Sequence, residues 1–98
     1  MSESLGRAAS FGRAISFEAL TVSSTAVALT VPTDIHSAFC STDGETVRFR
    51  MDGSDPTATV GHKLPLDTFI EFYRDDLKHL KFIATGADAT VFVTYYKS

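Results

Sequence analysis

Several residues in this chain have side chains suited to chemistry, and each implies a definite ligand or reaction. Asp52-Gly53-Ser54-Asp55 resembles the start of a calcium loop. Such a loop needs oxygen ligands at alternate positions and a Glu at its twelfth position, flanked by helices. The twelfth residue counted from Asp52 is Lys63, so the run is better read as a turn whose Asp side chains accept from backbone N–H groups. His36, His62 and His79 are 26 and 17 residues apart, which fits no compact zinc pattern. Cys40 is the single cysteine, so no intrachain disulfide forms. As a nucleophile it would need a His brought near in space, and no signature ties one to it; a buried small hydrophobe is the plainer reading. Asp75-Asp76 are adjacent in a polar turn and lack the opposed geometry that glycoside hydrolysis needs. The chain has no nucleophile elbow, P-loop or dinucleotide fingerprint. The residues therefore point to a protein that is not an enzyme and holds neither cofactor nor metal.

Charge narrows the partners. Nine basic and twelve acidic residues give a net charge of −3 and a pI near 5.4, a poor match to phosphate backbones. Only Arg48 and Arg50 form a tight basic pair, while acidic residues run from Asp43 to Asp88. Nucleic acid is not an expected partner. No run approaches the ~18 apolar residues of a membrane span, and the start M-S-E-S-L-G-R-A-A-S lacks the apolar centre of a signal peptide. No membrane association is expected, and synthesis in a cytoplasm is the default.

The elements that must position these residues are strands. Ninety-eight residues make one domain, burying about two-thirds of the unfolded surface, with 44% apolar and 21% charged residues. Residues 1–14 are rich in Ser, Ala and Gly and repeat Gly-Arg-Ala. They form either a disordered tail or an arm that orders on a neighbouring subunit through Leu5, Arg7, Phe11 and Arg13. From residue 15 the pattern has period two: I-S-F-E-A-L-T-V, then T-A-V-A-L-T-V up to Pro32, then I-H-S-A-F-C-S-T up to Asp43-Gly44. T-V-R-F-R-M-D alternates most cleanly, with Val47, Phe49 and Met51 on the buried face and Arg48 and Arg50 on the wet one, in a central strand. Thr57 to Val60 and Leu64 to Phe72 add strand material, and His62 is expected to bond the turn backbone. R-D-D-L-K-H-L gives one helical turn with Asp75 or Asp76 as N-cap. Leu80 to Thr85 and Thr90 to Tyr96 read as a hairpin around Gly86. The sum is an all-β domain over residues 15–98, an antiparallel sandwich or flattened barrel of seven to eight short strands.

The run V-R-F-R-M-D-G-S-D-P-T-A-T-V-G-H, with the later L-K-F-I-A-T-G-A-D-A-T-V-F-V-T-Y-Y, is similar to small virion proteins of tailed bacteriophages. The resemblance covers residues 18 to 96 and rests on structural rather than chemical motifs. It implies a non-enzymatic component of the phage particle made in the bacterial host's cytoplasm: a capsid decoration or cement protein, or a head or tail accessory protein. The implied partners are other virion proteins, with the chain present as a homo-oligomer or in many copies. Arg48 and Arg50, and the C-terminal Tyr95 and Tyr96, join the arm residues as candidate contacts. For the aromatic end the alternative is two core positions and an ordinary edge tyrosine. A carbohydrate- or receptor-binding sandwich is the competing function.

Overall fold

Strand β8, Ala89–Lys97, shows how alternation becomes architecture: Ala89, Val91, Val93 and Tyr95 point into the core, and Thr90, Phe92, Thr94 and Tyr96 point away. It lies in a sheet with β1 (Arg13–Val22), β3 (Ser37–Asp43) and β6 (Phe69–Tyr73), in the order β1-β8-β3-β6. The second sheet contains β2 (Val27–Ala28), β4 (Val47–Arg50), β5 (His62–Leu64) and β7 (Lys81–Ala84), in the order β2-β7-β4-β5. Every pairing is antiparallel. The computed structural model describes residues 12–97. Two four-stranded sheets connected in this way are a jelly roll, two Greek keys wrapped into a sandwich.

The core between the sheets includes Val22, Cys40, Val47, Leu80, Phe82, Val91, Val93 and Tyr95. Phe72 of one sheet meets Phe49 and Phe82 of the other edge-to-face, at centroid distances of 5.2 and 6.3 Å. Such pairs contribute about 0.5–1.5 kcal/mol beyond area burial. As expected, β4 is a central strand, between β7 and β5. It ends at Arg50, however, and Met51 is 37% exposed, because the chain turns out of the sheet one residue before the alternation places it inside.

Four connections cross between sheets at one end of the sandwich. Two glycine turns are among them: Asp43-Gly44, a strong hairpin signal in the sequence, carries β3 into β4, and Gly86, the expected centre of the last hairpin, lies between β7 and β8, each time joining strands of different sheets. Glu45 ties these two corners together, its carboxylate accepting from the N–H of Thr46 (2.9 Å) and of Ala87 (3.2 Å). A Cβ at Gly86 would come within 2.7 Å of Glu45 Oε2, so glycine makes room for that carboxylate. Thr42 and Thr46 fix the adjacent β5–β6 corner. Thr42 Oγ1 donates to the Pro65 carbonyl (2.6 Å), and Thr46 Oγ1 accepts from Leu66 N–H (3.0 Å).

Thr57 to Val60 is a tight turn rather than a strand. Thr57 N–H donates to the Val60 carbonyl (2.9 Å), and Thr57 Oγ1 accepts from Val60 N–H (2.9 Å). The helical turn, α1 (Asp76–His79), has Asp75 at its N-cap position without a side-chain capping bond.

Candidate docking face

The outer face of the β1-β8-β3-β6 sheet follows from register. Across its strands one row reads Ala14, Tyr96, Ser37, Tyr73; the next Phe17, Thr94, Phe39, Glu71; the next Ala19, Phe92, Ser41, Phe69. Rings alternate with non-aromatic residues along each row and shift by one strand between rows, giving an aromatic chequerboard. Neighbouring rows bring diagonal rings together: Phe17 stacks with Phe92 at 5.9 Å, and Phe39 lies 5.3 Å from Phe69. Diagonal reach between strands is what lets large rings meet in this way.

Six of the eleven aromatic residues (eight Phe, three Tyr) thus lie on the face turned away from the core. Phe17 is 64% exposed, Phe69 68% and Tyr73 46%, while Phe39, Phe92 and Tyr96 are partly buried by their neighbours. Ser37 also faces outward yet is buried between Tyr73 and Tyr96, its register partners. Contiguous exposed aromatic surface is uncommon on soluble domains and marks contact with another molecule.

The residues singled out in the sequence scatter by comparison. Leu5, Arg7 and Phe11 lie outside the described residues. Arg13 opens β1, opposite Lys97, so it and Ala14 belong to the sheet rather than to the arm. Tyr95 is 1% exposed and presents no surface for docking: alternation turns it inward, where its hydroxyl donates to Glu18 Oε1 at 2.5 Å. Tyr96, next in the chain, is on the outer face. Arg50 is held by Asp52 beyond the end of its own strand, at 3.0 Å for Nε–Oδ1. The same hydrogen bond, the largest cause, lowers the Asp52 carboxyl below its usual range.

Arg48 has an inward task. Its Nη1 donates to the Gly61 carbonyl (2.8 Å) and its Nε to the Ala58 carbonyl (3.1 Å), holding the 58–61 turn against β4. The turn-bonding role expected of His62 thus belongs to Arg48, and His62 lies on the Phe49 ring at 5.4 Å. Phe17, Phe39, Phe69 and Tyr73 were not foreseen as surface residues. Their only sequence mark is an aromatic at positions alternating with the core set, on strands already apolar on the other side.

Cys40 is fully buried, and its thiol is pushed up to about 12, first by desolvation and then by the nearby Glu18 carboxylate. A thiol so held is protonated at neutral pH and is a poor nucleophile. Among the described residues no three His, Cys, Asp or Glu side chains come together as a metal-binding group. No described helix is long and apolar enough to cross a membrane. No protein-family model, curated protein sequence or solved structure matches the chain.

Proposed function

We propose that this chain is a non-enzymatic structural protein of a tailed-phage particle, a capsid decoration or head or tail accessory protein. It docks on other virion proteins through the aromatic face of the β1-β8-β3-β6 sheet. The aromatic chequerboard is the observation that carries this reading. Its rings are rigid and lose little side-chain entropy on contact, and the three exposed ones supply the apolar centre a protein interface needs. Jelly rolls serve in viral capsids and also in lectins. This analogy operates at the level of fold alone, and it leaves carbohydrate or receptor binding as the alternative.

Quantitative mass spectrometry of purified particles of the encoding phage tests the proposal. Many stoichiometric copies support it. Absence from particles, with the protein free in the lysate, overturns it, and a few copies joined to glycan binding favours the alternative. Removing residues 1–11 in the same assay asks whether the arm adds to docking. Lower occupancy with an intact fold is the result expected if it does.

A further inference from the structure

A cavity of about 550 Å³ opens between the 31–36 segment, which leads into β3, and the 74–78 segment, which leaves β6. That volume lies within the range of small-molecule sites, about 300–1,000 Å³. It sits at the end of the sandwich opposite the Glu45 corners. Val31, Pro32 and Ile35 form its apolar wall. Its polar lining carries both signs of charge: Arg74 and Lys78 against Asp34 and Asp75. None of these four forms an ion pair among the described residues, although they share one cavity. His36 also lines it, and His36 Nδ1 is buried without a hydrogen-bond partner.

Two backbone features hold this lining in place. Asp34 and Arg74 both have positive φ, 62° and 46°, a conformation that costs a residue with a side chain and persists only where its surroundings enforce it. The Arg74 N–H donates to the His36 carbonyl (3.0 Å), joining the two walls, and the His36 N–H donates to the Tyr96 carbonyl (2.8 Å), tying one wall to β8. His36 also meets the aromatic face, its ring lying edge-on to Tyr73 at 6.3 Å.

We propose that this cavity binds an acidic saccharide. The sugar carboxylate pairs with Arg74 and Lys78, its hydroxyls donate to Asp34 and Asp75, and its C–H face lies on Pro32 and Ile35. A simple anion would meet the cations but be repelled by the two aspartates. A neutral sugar would satisfy the aspartates and leave the cations unmatched. A ligand bearing both a carboxylate and hydroxyls satisfies the whole set. The proposal is independent of the docking face, and either can fail alone.

The test is NMR titration of the full chain with D-glucuronate, using glucose, acetate and alanine as comparison probes. Saturable shifts of the 33–36 and 74–78 amides with glucuronate, and weaker ones with each comparison probe, are expected. Arg74→Gln and Lys78→Gln should each weaken glucuronate binding about tenfold, the usual scale for losing one charge-assisted contact. Lys78 lies on the exposed face of α1, so Lys78→Gln decides the matter if Arg74→Gln disturbs its strained turn. No shifts with glucuronate, equal binding of acetate or alanine, or unchanged affinity in Lys78→Gln would each overturn the proposal.

Discussion

The Tyr95 hydroxyl donates to Glu18 Oε1 at 2.5 Å inside the sandwich, and the same oxygen accepts from the Thr30 N–H at 3.2 Å. Glu18 belongs to β1 of one sheet, whereas Thr30 follows β2 of the other, so one carboxylate oxygen joins the two layers. Tyr95→Phe removes the hydroxyl and leaves the carboxylate with one fewer partner in a partly buried site. It should destabilise the domain by about 1–3 kcal/mol, read as a lower urea midpoint at unchanged slope. An unchanged midpoint would show that water replaces the hydroxyl at no cost.

Alkaline pH should weaken the fold through the same cluster. Desolvation, then the hydrogen bond to Glu18, raises the Tyr95 phenol well above its usual value near 10. Burial raises the Cys40 thiol from 9.0 to about 12. Both groups hold their protons more tightly folded than unfolded. Their contribution is therefore complete below about pH 9 and is lost progressively as pH rises toward 12 and beyond. Unfolding midpoints should be flat in this respect up to about pH 9 and then fall, with Cys40→Ala removing the earlier part of the decline. A thiol reagent at pH 8 should label Cys40 only as fast as the domain opens.

Phe49 has the largest set of ring contacts in the core, touching Phe72, Phe82 and His62. Phe49→Ala should cost about 3–5 kcal/mol. Equal melting temperatures for the variant and the wild type would contradict its placement at 4% exposure.

Those three rings also mark how far the sequence could be read. V-R-F-R has apolar residues on one face only, so both the strand and its buried side were legible. A-F-C and V-F-V-T-Y-Y are apolar or aromatic on both faces, so period two gives the strand but cannot say which side is core. Tyr95 went in and Phe92 out because partner strands cover one side of the sheet, a tertiary fact that alternation does not carry. The Asp43-Gly44 and Gly86 turns were legible as reversals of the chain. Whether the next strand stays in the same sheet depends on the twist and length of the crossing, and here it changes sheet both times. Arg48 read as a wet-face residue because its alternation is correct; its grip on the 58–61 turn depends on a loop folding back ten residues later. The cavity between the 31–36 and 74–78 segments joins residues about forty apart, beyond any local spacing.

Arg48→Ala follows from that grip. Two carbonyl bonds are lost, so the 58–61 turn should loosen, with a stability loss of about 1–2 kcal/mol. Hydrogen exchange at the Thr59 and Val60 amides should quicken while the core strands stay protected. Unchanged exchange would mean the Thr57 bonds hold the turn alone.

The docking face gives the last test, in which stability and assembly must separate. Phe17 and Phe69 are 64% and 68% exposed, at opposite edges of the sheet on β1 and β6. Replacing both with Ser removes apolar area that the isolated domain leaves largely in water. Each change should therefore alter folding stability by about 0.5 kcal/mol or less, apart from the Phe17–Phe92 and Phe39–Phe69 ring contacts it breaks. In a protein interface the same rings would be fully desolvated, where losing one aromatic anchor costs about 2 kcal/mol or more. The double variant should keep its melting temperature within a few degrees and lose most of its copies from purified particles. Val60→Ser, an exposed apolar residue in the 57–60 turn, is the control and should assemble normally. If the double variant reaches wild-type occupancy, the chequerboard is not the surface that docks.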